Sequence, residues 1–196
     1  MNYQEKHWKS KFGKKYTKRN KSIKKSLFIN NSLKKIGKIK NVFEFGTNVG
    51  NNLDIIKGYN KNIKTHGVEI NDFAASIANK KGHQILNDSV KNKINIKKKF
   101  DLVIASGILI HINPKDLNKV YKNMFNLSKK FILIAEYFSQ DPVAIKYRGK
   151  NNLLFKRDFA KEIKNKYNLK IVDYGFIWSE DKKHSLDNFN WFLLKK

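Results

Sequence analysis

The side chains able to do chemistry gather at the ends of short apolar runs. The first group is Glu44-Phe45-Gly46-Thr47-Asn48-Val49-Gly50, where the apolar run NVFEF gives way to a polar loop. Glycine there lets the backbone come close to a ligand and adopt left-handed dihedrals. Asn48, at the middle position, is the residue type that tolerates that geometry next best. Taken alone, the loop also meets the needs of an ordinary strand-to-helix turn. Glu69 closes a second run, THGVEI, 25 residues after Glu44. A carboxylate at such a strand end can accept from both hydroxyls of a ribose, or simply face water. Asp88 and Ser89 end a third, weak run. Asp88 could accept from an adenine amino group or cap a helix before Val90. Ser106 to His111 (SGILIH) follows a fourth run and should line the same crevice. These groups suit a nucleoside-bearing ligand rather than a metal. His7, His66, His83 and His184 lack ligand spacing, and there is no cysteine, P-loop or Ser-His-Asp signature.

The elements that must hold these residues alternate. Strands are expected at 41–45, 65–70, 84–86, 100–106 and 131–137, with helices opening at 51, 72 and 114 between them. LVIA and FILIA are almost continuously apolar, as in strands buried on both faces of a parallel sheet. Residues 138–152 read as irregular, 158–167 as helix, and 170–178 and 188–194 as two closing strands. The linker 179–187 is too short for a helical crossover, so those two strands pair antiparallel. The fold class that follows is α/β: one Rossmann-like doubly wound sheet, mostly parallel, with an antiparallel C-terminal pair. In front lies a basic helical extension, residues 1–40, with Glu5 as its only acid against fourteen Lys and Arg. Ile23, Leu27, Leu33 and Ile36 mark a helix around 20–37. Trp8, Phe12 and Tyr16 recur at helical spacing and make one aromatic face, suited to docking on the core or covering a cleft. Residues 41–196 are then the ligand-binding domain.

The chain has 196 residues and a formal charge of +26 at pH 7. Forty per cent hydrophobic content is too apolar for a disordered chain. No run is long and apolar enough to span a membrane, and the N-terminus lacks the apolar segment of a secretory signal, so a cytoplasmic location is expected. Of 42 basic residues only Arg19, Arg148 and Arg157 are arginine, leaving 39 lysines. Phosphate readers usually include arginine for its bidentate fork. The lysines therefore read mainly as a solvated surface, and nucleic acid is the weaker expectation.

The motifs resemble those of class I S-adenosylmethionine-dependent methyltransferases: EFGTNVG the first motif, GVEI the acidic second-strand motif, FDLVIASGILIHI the fourth-strand motif. GILIHINPKDL, ILIAEY, PVAIKYRG, LLFKRDFA, DYGFIW…NWFLL and WKSKFGKKYTKRN further resemble methylases associated with pseudaminic acid biosynthesis. The resemblance implies that Glu44, Gly46, Asn48 and Gly50 wrap the methionine part of S-adenosylmethionine. It implies Glu69, with Ile70, at the ribose, Asp88 and Ser89 near the adenine, and Ser106 in the same cofactor site. It also implies a small acidic sugar acceptor in surface-glycan biosynthesis. Oxygen methylation of a sugar benefits from a general base. His111 is the first candidate, or else it holds the helix start; Glu136 and Tyr137 are a second base or an orienting pair. Tyr147, Arg148 and Arg157 are the expected substrate contacts, the arginines meeting a carboxylate or phosphate. For Arg157 an internal pair with Asp158 or Asp141 competes. The rival functions are an RNA methyltransferase and a cofactor-binding partner without catalysis.

Overall fold

The structure, a computed structural model, describes residues 1–19, 26–181 and 187–196. Its centre is a seven-stranded sheet in the order β3-β2-β1-β4-β5-β9-β8. The strands are β1 (Asn41–Phe45), β2 (Lys64–Val68), β3 (Gln84–Leu86), β4 (Phe100–Ser106), β5 (Ser128–Glu136), β8 (Lys170–Ile177) and β9 (Phe189–Lys195). β1 to β5 run parallel, whereas β9 is antiparallel to both β5 and β8. The doubly wound sheet and its antiparallel closing pair are thus as expected. Residues 182–186 of the closing connection, including His184, lie outside the described residues, as does Ile23.

Strand alternation divides the core into two layers. Phe43, Phe45, Val103, Ala105, Ile132 and Ile134 point one way, toward Val120, Tyr121 and Met124 of α6 (Leu117–Leu127) and Phe159 and Ile163 of α7 (Phe159–Tyr167). Val42, Leu102, Ile104, Leu133 and Ala135 point the other way, toward α3 (Ser26–Ile36) and α4 (Asn51–Tyr59). Strands buried on both faces need apolar residues at every position, which explains the unbroken LVIA and FILIA. Because β1 lies between β2 and β4, the chain leaves it in opposite directions, and a crevice opens at the strands' carboxyl ends.

Three pieces sit over that crevice. Helices α1 (Tyr3–Lys9) and α2 (Lys11–Arg19) form one. The aromatic spacing at 8, 12 and 16 is therefore carried by two helices broken at Ser10, which ends α1 in an extended conformation. A short 3-10 turn, Leu109–His111, forms the second. The third corrects the reading of 138–152 as irregular: β6 (Val143–Tyr147) and β7 (Lys150–Lys156) make an antiparallel hairpin of their own. Arg148 and Gly149 close it, both with positive φ (46° and 78°), the geometry of a tight hairpin turn. The helix read at 20–37 begins among the described residues at Ser26. Phe28, Ile29 and Leu33 bury it in the core rather than over the crevice.

Candidate functional site

At the carboxyl ends of the strands lies a cavity of about 670 Å³, in the range of small-molecule sites. Its floor begins with the loop after β1. Gly46 has φ 68° and Asn48 has φ 49°, so the two line the cavity in left-handed conformations that glycine and asparagine favour. A Cβ on Gly46 would stand 2.8 Å from the Ile108 side chain. The Asn48 amide donates to Glu69 Oε2 (2.8 Å), and the Asn71 amide to Glu69 Oε1 (2.8 Å). Two backbone bonds thus fix the carboxylate without using all its acceptor sites. Burial pushes the Glu69 carboxyl above its ordinary value, against the opposing pull of the Asn71, Asn48 and Ile70 amides. Ile70, Ser89 and Ser106 also line the cavity. The Ser106 hydroxyl is buried with no hydrogen-bond partner among the described residues, as is the indole N–H of Trp8.

Three expected cofactor residues stand behind this floor. Glu44 is fully buried and accepts from Asn52 Nδ2 (2.6 Å); it is Asn52 that reaches the cavity. Gly50 turns toward His83, where a Cβ would come within 2.6 Å of the ring. Packing at the start of α4 and its φ of 80° both require a glycine here. Asp88 folds back on its own turn, accepting from the Ser89 amide and Asn92 Nδ2, both at 2.7 Å. The carboxylate that reaches the cavity near the end of β3 is instead Glu5 of α1. It accepts from the Ser89 hydroxyl and pairs with Lys91 at 2.8 Å.

The opposite wall is aromatic. Trp8 packs against His111 (ring centroids 4.5 Å apart), Tyr16 (5.1 Å) and Tyr147 (6.5 Å), and His111 lies 5.3 Å from Tyr147. His111 Nδ1 is 2.7 Å from the Leu153 carbonyl of β7. A carbonyl only accepts, so Nδ1 carries the proton, and in the neutral ring the lone pair is on Nε2. Glu136 Oε1 accepts from the amides of Ile108 (2.9 Å) and Leu109 (2.8 Å), anchoring the turn that carries His111. Tyr137 lines the cavity and donates its hydroxyl to Asp187. Burial and that carboxylate hold the phenol well above its ordinary pKa, in its protonated form.

Arg148 and Tyr147 line the cavity together; Arg157 does not. Its Nε pairs with Glu162 Oε1 at 2.6 Å on α7, so the internal partner is Glu162 rather than Asp158 or Asp141. Sequence reasoning missed Asn2, Gln4, Glu5, Thr17 and Arg19, all of which line the cavity from α1 and α2 or the residue before them. Their latches explain the placement. Asn2 Nδ2 donates to Asp116 (2.9 Å), Gln4 to the Asn152 carbonyl (2.8 Å), Asn71 Nδ2 to the Trp8 carbonyl (2.9 Å), and Thr17 to Asn48 Oδ1 (3.1 Å). Gly13 permits the last turn of this packing: a Cβ there would lie 1.8 Å from the Trp8 carbonyl oxygen.

Residues 43–130 match the family model described as a methyltransferase domain. A search of curated protein sequences found no match. Among solved structures, the chain is similar to the 1,6-didemethyltoxoflavin N1-methyltransferase of Burkholderia thailandensis with bound 1,6-didemethyltoxoflavin and S-adenosylhomocysteine. The TM-score is 0.73 at 14% identity, over 96% of this chain and 86% of that one. It is similar to an S-adenosylmethionine-dependent methyltransferase of Clostridium acetobutylicum (TM-score 0.68, 16% identity, 94% and 97% covered). It is also similar to the magnesium protoporphyrin IX methyltransferase of Synechocystis with bound S-adenosylhomocysteine (TM-score 0.67, 10% identity, 98% and 97% covered). The chain has the fold of these enzymes, and the stretch that matches the methyltransferase-domain model runs from β1 to the start of β5.

Proposed function

We propose that the chain is an S-adenosylmethionine-dependent methyltransferase acting on a small acidic sugar of the nonulosonate type. The observation that carries this reading is a single cavity in which Gly46, Asn48, Glu69 and Ser106 face an aromatic wall holding His111. The donor set fits the cofactor. Glu69 keeps acceptor capacity for a ribose hydroxyl, Ser106 brings a buried hydroxyl without a protein partner among the described residues, and the left-handed loop at Gly46 and Asn48 is where the methionine portion would lie. When bound, the cofactor supplies an activated methyl on a sulfonium. The protein's own work is to position and to manage one proton. Glu136 holds the 108–111 turn, Leu153 fixes the His111 tautomer, and Nε2 of His111 takes the proton of the acceptor hydroxyl as its oxygen is methylated. Tyr147 supplies an apolar face to the sugar, and Arg148 meets its anionic group. The acidic-sugar class rests on the likeness of GILIHINPKDL and PVAIKYRG to the pseudaminic-acid-associated methylases and on the arginine at the cavity mouth.

Mass spectrometry of methyl incorporation tests this reading. Nucleotide sugars, free nonulosonates and RNA are each incubated with the full chain and the methyl donor. Incorporation into an acidic sugar fraction that vanishes with Glu69→Ala is the expected result. Incorporation into RNA alone overturns the acceptor class, and no donor binding overturns the enzyme.

A further inference from the structure

Two of the chain's three arginines, Arg19 and Arg148, line the same cavity, although lysines outnumber them by 39 to three. They arrive from elements far apart in sequence, the end of α2 and the β6–β7 turn, yet are built alike. The Arg19 guanidinium lies over the Tyr16 ring at 5.5 Å and the Arg148 guanidinium over the Tyr147 ring at 5.6 Å. Both tyrosines are themselves cavity residues. Tyr16 lies within electrostatic reach of both guanidiniums and of Asp187, whose carboxylate already receives the Tyr137 hydroxyl.

The backbone adds an independent observation. Among the described residues, four non-glycine residues have positive φ: Asn48, Asn152, Asn168 and Arg148. Asparagine fills this conformation three times, as its tolerance of left-handed geometry leads one to expect. At the hairpin turn, where Asn-Gly is the preferred pair, the chain carries Arg-Gly and accepts the strain. Strain of this kind persists where the side chain has a task.

Resting on the methyltransferase reading, we propose that Arg19 and Arg148 form a two-jawed subsite for a phosphoryl group, so that the acceptor is a small phosphorylated or nucleotide-linked sugar. A carboxylate is planar and meets one guanidinium fork edge-on, with both its oxygens in a single plane. A phosphate or diphosphate offers oxygen pairs in several directions and can engage two forks from opposite sides. The cavity volume favours a small molecule over a nucleic-acid strand.

Calorimetric titration of inorganic pyrophosphate into the full chain, with S-adenosylhomocysteine present and physiological salt, tests the subsite. Wild type should bind. Arg19→Lys and Arg148→Lys keep the charge and lose the fork, so each should weaken binding about tenfold or more. Arg157→Lys, at the arginine held by Glu162, should leave binding unchanged. Equal binding by all variants, or an equal loss with Arg157→Lys, overturns the subsite in favour of diffuse lysine charge. Displacement of pyrophosphate by glucose 1-phosphate or by uridine diphosphate supports it and tells the sugar phosphate from the nucleotide. Displacement by neither, or arginine-dependent binding of a single-stranded RNA instead, overturns it. Arg148→Asn should keep or raise Tm while losing pyrophosphate, which separates the subsite from folding. Titration of S-adenosylhomocysteine alone fails only if the methyltransferase reading fails.

Discussion

The two halves of the cavity are made in different ways. The floor comes from β1, β2 and β4, with each polar group placed by the strand that precedes it. The Asn48 amide finds Glu69 because β1 and β2 are parallel neighbours in register, Phe45 opposite Val68. The opposite half comes from α1, α2, the Leu109–His111 turn and the β6–β7 hairpin. Its aromatic wall unites Trp8, His111 and Tyr147, residues that only the tertiary fold brings together. A floor of strand ends gives rigid, locally encoded positions for a donor common to many enzymes. A wall of appended helices and a hairpin can vary without disturbing the sheet, which suits the part that chooses the acceptor.

Experiments that strike each half separately should give different signatures. The largest effect is expected from His111→Ala, with methyl transfer falling on the order of a hundredfold or more and donor affinity unchanged. Rate measurements under donor saturation check this, and an unchanged rate would remove His111 from proton transfer. Next comes Gly13→Val. The new side chain meets the Trp8 carbonyl 1.8 Å from its Cβ and must push α2 off the wall. Acceptor KM should rise roughly tenfold or more, since part of the wall is lost, while calorimetric donor affinity changes less. A smaller effect is expected from Glu5→Gln, which leaves Lys91 and the Ser89 hydroxyl without their carboxylate. The loss should be about 1–3 kcal/mol, as for charged hydrogen-bond partners left unpaired in a mostly buried site, read as a lower Tm.

Glu5 also gives the cap a pH dependence. Burial raises its carboxyl pKa, but Lys91, Ser89 and the Asn2 amide together more than offset this, and the group sits below its usual value of 4.5. A carboxyl depressed in the folded state contributes stability above its unfolded pKa and loses it as pH falls through the folded one. Hydrogen exchange at residues 3–9 should therefore stay slow at neutral pH and quicken selectively below about pH 4.5, ahead of β4 and β5. Glu5→Gln should abolish that selective step.

The difference between the halves also accounts for what could be read in advance. The alternation of strand and helix, the loop at 44–50 and Glu69 are legible because each is local: an apolar run, a turn residue, a carboxylate at the strand's end. Asp88 shows where local reading fails. A strand-end acid and an acid that caps its own turn look alike in sequence, and only the bonds to Ser89 and Asn92 tell them apart. The hairpin at 143–156 stayed hidden because β6 is exposed along almost its whole length, so VAIKY has no buried face to create an alternating pattern. Glu5 and Arg19 stand out by type in a lysine-rich stretch, but nothing local in the sequence places them at the cavity. Their roles depend on contacts with residues tens of positions away.

The central claim is that one cavity has a donor half and an acceptor half that can be broken independently. Calorimetry of S-adenosylmethionine binding to wild type, Glu69→Ala and Arg148→Lys tests it most directly. The account predicts a loss of about a hundredfold for Glu69→Ala, which would remove the proposed charge-assisted hydrogen bonding to the ribose, and an unchanged affinity for Arg148→Lys. Equal affinities in all three proteins, or equal losses in both variants, would contradict it.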